Sequence, residues 1–176
     1  LGASDLLARI LVSSPHLLPN VLVSSDMLLA PMLDKILADR LVGTESDLEL
    51  ALTVLRSVKQ EETLRVAIAD LAGEIDIVRV GERLSRLAEL LLAHSLELAR
   101  REAVGRYGEP EDPAASVVVV SGGTLGAEEM GYRSDLDLSI IYTGEGETVG
   151  GLRAPISVME FFTRIAHRLI SFLSMK

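Results

Sequence analysis

Asp135 and Asp137 stand one residue apart in the run Ser134-Asp135-Leu136-Asp137-Leu138. In an extended strand, successive side chains point to opposite faces, so the two carboxylates share one side while Leu136 and Leu138 share the other. Two carboxylates gathered within about 5 Å repel by roughly 3 kcal/mol at an effective dielectric near 20. A bound Mg²⁺ or Mn²⁺ would turn that cost into attraction, and hard oxygen ligands of this kind suit Mg²⁺ shared with a substrate phosphate. Asp135 and Asp137 are therefore the candidate metal-ligating and catalytic residues. Upstream lies Ser121-Gly122-Gly123, a turn leaving a β-branched run, whose glycines let backbone N–H groups approach an anion closely. Eleven residues separate Gly123 from Asp135. That spacing allows a short helix between them and brings turn and carboxylates to one end of a sheet, as holding a triphosphate against a metal requires. Taken alone, a Gly-Gly turn is most often just a turn and an Asp-x-Asp a solvated strand end; in this order, with strand on either side, the pair is far more specific.

The elements that must position these residues follow a change of character in the chain. Glu109-Pro110-Glu111-Asp112-Pro113-Ala114-Ala115 is a linker by composition. After it, Ser116-Val117-Val118-Val119-Val120 reads as a strand buried on both faces. A second strand is expected from Asp135 to Tyr142, a Gly-rich loop from Thr143 to Gly151, and then a capping box, Ser157 to Glu160. The last helix carries the apolar line Phe161, Ile165, Leu169 and Phe172. Before the linker the pattern is helical. Thr44-Glu45-Ser46-Asp47 caps a helix running to about Gly73, with the stripes Leu48, Ala51, Leu52, Leu55 and Leu64, Ala67, Ile68, Leu71. A second long helix spans about Val80 to Arg106, with Leu84, Leu87, Leu91 and Leu98 on one side, and Tyr107-Gly108-Glu109-Pro110 stops it. Residues 1–42 read as short helices punctuated by Pro15, Pro19 and Pro31. The expectation is an α+β chain, with a helical bundle over residues 1–112 and a catalytic sheet with a flanking helix over residues 113–176.

Composition narrows the function classes. Of the 176 residues, 48% are hydrophobic but only 3% aromatic, which is a Leu-, Val-, Ile- and Ala-rich helical composition. The longest apolar runs fall well short of the roughly 20 residues that cross a bilayer, so no membrane is expected. With no cysteine, disulfides and thiolate metal sites are excluded. The amino-terminal Leu1-Gly2-Ala3-Ser4-Asp5 lacks a basic region and reads as a boundary rather than a native start, so a cytoplasmic location is the default. The net charge is −9, with 12 Lys+Arg against 19 Asp+Glu in residues 1–115 and 5 against 7 in residues 116–176. A nucleic-acid backbone demands a basic stripe, so no nucleic acid is expected and the acceptor of any nucleotidyl group is a protein or small molecule.

The run Gly123-Thr124-Leu125-Gly126-Ala127-Glu128-Glu129-Met130-Gly131-Tyr132-Arg133-Ser134-Asp135-Leu136-Asp137-Leu138 resembles the signature of the glutamine synthetase adenylyltransferase family. Lys59 to Gly73, Leu84 to Glu89, Arg106 to Pro110 and Phe161 to Ile170 agree with it, so the likeness spans most of the chain from about residue 50. The resemblance implies a polymerase-β-like nucleotidyltransferase sheet, truncated here. It also implies ATP as substrate with Mg²⁺ (or Mn²⁺), and transfer of AMP to a tyrosine of glutamine synthetase, lowering that enzyme's activity. Family members carry two such domains in tandem, one adding AMP and one removing it by phosphorolysis, with a PII-type signal protein and glutamine as regulators. The stretches around Lys59 and Leu84 look closer to the adding half. On this reading Asp135 and Asp137 position metal and α-phosphate, Ser121, Gly122 and Gly123 contact the phosphates, and Ser134 helps fix the carboxylate strand beside the nucleotide. Two departures stand out: Thr124 replaces the family's lysine and Ala127 its second glycine. The family's third carboxylate is expected beyond Lys176.

His16, His94 and His167 show no ligand spacing and receive no role. Arg164 and Arg168, one helical turn apart, read as a solvated face, and Tyr132 as packing near the motif rather than reacting. The competing reading from another class is an inactive helical regulatory module that keeps the motif for folding; a third is the AMP-removing half.

Overall fold

The computed structural model describes residues 33–174, together with Ala8 and Val12. The short elements expected around Pro15, Pro19 and Pro31, and His16 with them, lie outside the described residues. Among the described residues the chain is α+β, mostly helical with two small antiparallel sheets. Its contacts divide it into two units, Leu1–Leu91 with Gly123–Asp137, and Leu92–Gly122 with Leu138–Lys176.

In the first unit, α1 (Leu33–Leu41) buries Leu33 and Leu37 and turns into α2 (Leu48–Leu71). The Thr44 hydroxyl donates to the Leu41 carbonyl at 2.8 Å, and the Asp47 carboxylate accepts the Leu50 N–H at 3.0 Å. Asp47 thus satisfies one of the donors that every helix start leaves orphaned. The α2 stripe buries Ala51, Leu52, Leu55, Leu64 and Ala67 as its spacing predicts, and adds Val58 and Val66. Leu71 departs from expectation and is exposed, because the helix ends there and the Glu74 N–H closes onto the Ala69 carbonyl at 2.9 Å.

Two glutamates in mid-helix are buried. Glu61 accepts from Arg40 at 2.7 Å and from Ser57 at 3.2 Å, and Glu62 accepts from Arg65 at 2.6 Å and Arg83 at 3.1 Å. A carboxylate taken out of water is tolerated only when paired and hydrogen-bonded. Glu62 does so while tying α2 to α3 (Ile77–Tyr107). The first unit also holds Gly123–Asp137, which opens with the single helical turn α4 (Gly123–Gly126).

The second unit takes the carboxy-terminal part of α3, then β1 (Gly108–Pro110), β2 (Ser116–Ser121), β3 (Leu138–Thr143), β4 (Thr148–Gly150) and α5 (Val158–Ser174). β1 pairs with β4, and β2 pairs with β3 in the register Ser116 to Thr143 through Ser121 to Leu138. The stretch expected as linker supplies Glu109 and Pro110 to β1, and the stretch expected as Gly-rich loop supplies all of β4.

Two strand expectations are corrected. β3 begins at Leu138, so Asp135-Leu136-Asp137 precedes the ladder rather than forming part of it. β2 is not buried on both faces: Val118 and Val120 are 56% and 47% exposed, as is the cross-strand partner of Val118, Ile141, at 57%. A hairpin of two strands covers one side only with what packs on it. On the other side, Tyr142 stacks on Phe162 of α5 with ring centroids 5.5 Å apart, while staying 39% exposed. α5 follows its sequence closely. Ser157 accepts the Glu160 N–H at 3.2 Å, and Phe161, Ile165, Leu169 and Phe172 are all buried.

Candidate functional site

Gly123 and Asp137 meet in the first unit. Gly123 has φ 55, a left-handed conformation natural to glycine, and a Cβ there would overlap Asp137 Oδ2 and lie 3.3 Å from its Cγ. The backbone at residue 123 thus favours glycine, and any larger residue there would also displace the Asp137 carboxylate. α4 closes onto the following loop through Ala127 N–H to the Gly123 carbonyl at 3.1 Å and Glu129 N–H to the Thr124 carbonyl at 2.8 Å. The short helix that the 11-residue interval allows is this one turn.

Although Asp135 and Asp137 precede the ladder, exposure alternates residue by residue from Gly131 to Ile140. Both aspartates lie on the exposed side, with Leu136 and Leu138 on the other, half-buried one. Ser134 ends the turn before them, its hydroxyl accepting the Gly131 N–H at 2.9 Å. Ser121 and Gly122 belong to the second unit. Ser121 is half-buried at the end of β2, cross-strand from Leu138, and Gly122 is exposed. Among the described residues no three His, Cys, Asp or Glu side chains gather as a metal cage. Two same-side, solvent-facing carboxylates offer hard oxygen donors, the chemistry that suits Mg²⁺ or Mn²⁺.

The loop before the aspartates is pinned to Asp70 of α2 and Ser85 of α3, residues for which the sequence predicts no role. Tyr132 donates its phenolic O–H to Asp70 of α2 at 2.9 Å, and the Met130 N–H donates to the Ser85 hydroxyl of α3 at 3.3 Å. Burial, and then the hydrogen bond to Asp70, push the Tyr132 phenol well above its ordinary range. Tyr132 thus packs against the motif as the sequence predicts, its phenol held neutral. Gly81 of α3 faces the loop backbone, where a Cβ would be 3.1 Å from the Glu128 carbonyl oxygen and the Glu129 Cα. Asp70 and Ser85 lie inside stretches singled out for their family likeness, yet nothing local marks either as a hydrogen-bond partner of a segment 45 to 62 residues away.

In the second unit, a cleft of about 350 Å³ is lined by Glu102, Arg106, Tyr107, Arg164, His167 and Arg168, among others. Its cations are engaged within the fold. Arg164 bonds Glu160 at 2.5 Å and lies over the Tyr107 ring at 5.0 Å; Arg168 bonds Glu102 at 2.5 Å and lies over Phe172 at 4.8 Å. Glu160, the main cause, holds the exposed Arg164 guanidinium above its usual range. No helix among the described residues is long and apolar enough to cross a membrane.

A sequence profile described as glutamate-ammonia ligase adenylyltransferase matches residues 1–176. Among curated relatives, a bifunctional glutamine synthetase adenylyltransferase/adenylyl-removing enzyme of Burkholderia mallei is 42% identical over 146 residues, covering 81% of this chain and 16% of its own length. Enzymes of the same description from Pseudomonas syringae pv. tomato and Nitrosococcus oceani are each 36% identical, over 182 and 183 residues, covering 98% of this chain and 18% and 19% of their own lengths. The chain thus spans less than a fifth of the length of these relatives. With a profile match along its whole length, and with Gly123, Asp135 and Asp137 arranged as described, the chain belongs to the glutamate-ammonia ligase adenylyltransferase family.

Proposed function

We propose that this chain carries the catalytic carboxylates of a nucleotidyltransferase, with a polymerase-β-like sheet, that moves AMP from ATP to a tyrosine of glutamine synthetase. The observation that carries this reading is the pairing of Asp135 and Asp137 on one exposed side, with the Asp137 carboxylate set against Gly123 of the turn. In the transfer, the acceptor tyrosine oxygen forms a bond to the α-phosphorus, the bond from that phosphorus to the bridging oxygen of the β-phosphate breaks, and pyrophosphate departs. The phenolic proton passes to solvent or a base. Asp135 and Asp137 would hold Mg²⁺ or Mn²⁺, which supplies charge neutralisation at the phosphates. The backbone at Ser121, Gly122 and Gly123 would receive phosphate oxygens, and Ser134 fixes the turn that delivers the aspartates. Such transfer needs placement and electrostatics more than covalent chemistry from the protein. Thr124, where a cation is absent, leaves more of the neutralisation to the metal.

Of the two activities in the relatives' names, the Lys59-Gln60-Glu61-Glu62-Thr63-Leu64-Arg65 and Leu84-Ser85-Arg86-Leu87-Ala88-Glu89 stretches favour the adding one. A cytoplasmic enzyme regulated through a PII-type signal protein accords with this assignment. The test uses the full-length protein carrying this chain, with Mg²⁺ and ATP titrated into it and into the Asp135→Asn/Asp137→Asn variant. The variant should lose Mg²⁺-dependent ATP binding and AMP transfer; binding indistinguishable from the native protein would sink the reading. ATP-dependent AMP incorporation supports the adding half, and phosphate-dependent AMP release from modified glutamine synthetase the removing one.

A further inference from the structure

Between α4 and β3 the chain crosses from Ala127 to Asp137 with no ladder bonds of its own. Such a segment has no intrinsic reason to hold two carboxylates in one geometry, and catalytic groups tolerate little misplacement. Here the holding is done from the side. Met130 is buried and its N–H donates to Ser85 of α3; the Tyr132 hydroxyl donates to Asp70 of α2; Gly131 and Ser134 close the turn between them. The loop backbone at Glu128 and Glu129 lies close against Gly81. Glu128 itself adopts φ 59, a conformation that a non-glycine residue keeps only where its surroundings impose it. All these contacts lie within the first unit, and Asp135 follows three residues after Tyr132.

We propose that Asp70 and Tyr132 are a positioning pair that sets Asp135 and Asp137 for metal binding, acting through the Tyr132–Asp137 backbone. Neither touches the reacting atoms. Tyr132 is the rigid post and Asp70 the fixed acceptor on a 24-residue helix, so the placement of the carboxylates is referred to α2. The burial that holds the phenol neutral also keeps it a donor. Asp70 serves the site only as an acceptor, and Asn, whose side-chain oxygen also accepts, would replace it; Ala would not. This inference rests on the proposed role of Asp135 and Asp137 as metal ligands.

The test uses the full-length protein and the variants Tyr132→Phe, Asp70→Ala, Asp70→Asn and the Tyr132→Phe/Asp70→Ala double, with Asp135→Asn/Asp137→Asn as reference. Two readouts are taken: Mg²⁺ dependence, kcat and KM for AMP transfer, and amide hydrogen exchange of residues 128–137 in metal-free protein. Tyr132→Phe and Asp70→Ala should each raise the Mg²⁺ requirement and lower kcat by about 10- to 100-fold, the scale of a rate loss from a remote misplacement of about 1 Å. KM for glutamine synthetase should stay unchanged, and exchange of the loop amides should quicken before any metal is added. Asp70→Asn should recover most of both readouts, and the double variant should be no worse than the worse single one. Native Mg²⁺ dependence and native exchange in Tyr132→Phe, a change too mild to unfold the unit, would overturn the proposal, as would losses that add in the double variant. If Asp135→Asn/Asp137→Asn retains transfer, the metal reading fails and the positioning role falls with it. Loss there alongside native behaviour in Tyr132→Phe refutes the positioning pair alone.

Discussion

The carboxylate of Asp137 occupies the space that any side chain at residue 123 would need. Gly123→Ala should therefore act on the site twice. It forces a non-glycine residue into φ 55, a strain on the order of 1 to 2 kcal/mol. It also drives the Asp137 carboxylate out of place, which should lower AMP transfer on the order of 100-fold. Initial rates in the full-length protein, together with a thermal melt, check both effects. A rate near native would mean that Asp137 needs no fixed position.

Tyr132 makes a pH prediction with a definite sign. Its folded phenol titrates above the free value of about 10, so above that pH the unfolded chain releases a proton that the folded chain keeps. The stabilising contribution is whole below the unfolded pKa and drains away as pH rises toward the folded one. Urea titrations at pH 9 and pH 11 should show a steeper alkaline loss of stability in the native protein than in Tyr132→Phe. Parallel losses in the two proteins would contradict the buried, Asp70-bound phenol.

Glu62 receives Arg65 and Arg83 in a place with little water. Removing one partner of a buried pair leaves charge desolvated without compensation. Glu62→Ala should accordingly cost about 3 kcal/mol. Denaturant unfolding measures it, and a loss below 1 kcal/mol would place the network in solvent.

Two faces of the second unit should respond in opposite ways to the loss of apolar surface. Phe161 is 1% exposed and packs edge-on to Phe162 at 5.3 Å, so Phe161→Ala should cost about 3 to 5 kcal/mol. Val118→Thr and Ile141→Thr, on the open face of the hairpin, should stay within about 0.5 kcal/mol of native stability. The same two changes should reduce self-association, read by light scattering, because contiguous exposed apolar surface promotes it.

What could be read in advance follows the range of the interaction. The cap at Ser157 and the line Phe161, Ile165, Leu169, Phe172 are local patterns and appear as read. So does most of the α2 stripe, with Leu48 and Ile68 only half-buried and Leu71 left to solvent where the helix ends. The shared side of Asp135 and Asp137 follows from period-two geometry alone, which holds even outside the ladder. The run Val117 to Val120 was misleading, because four β-branched residues suit a half-covered hairpin as well as a buried strand, and a run without polar residues carries no alternation to tell them apart. β1 and β4 are too short to show any period. Glu61 and Glu62 look like surface charge, since their burial depends on Arg40 and Arg83, each 21 residues away. The link from Tyr132 to Asp70, across 62 residues, has no local signature at all.

The alternation from Gly131 to Ile140 makes the site a matter of parity. An even step from Asp135 to Asp137, and an odd one from Asp137 to Leu138, sort acids outward and leucines inward. One residue inserted or deleted between Ser134 and Leu138 would swap the sides of everything upstream of it, whatever its chemical nature. A one-residue change between Asp137 and Leu138 would carry both aspartates to the leucine side, and one between Asp135 and Asp137 would split the pair.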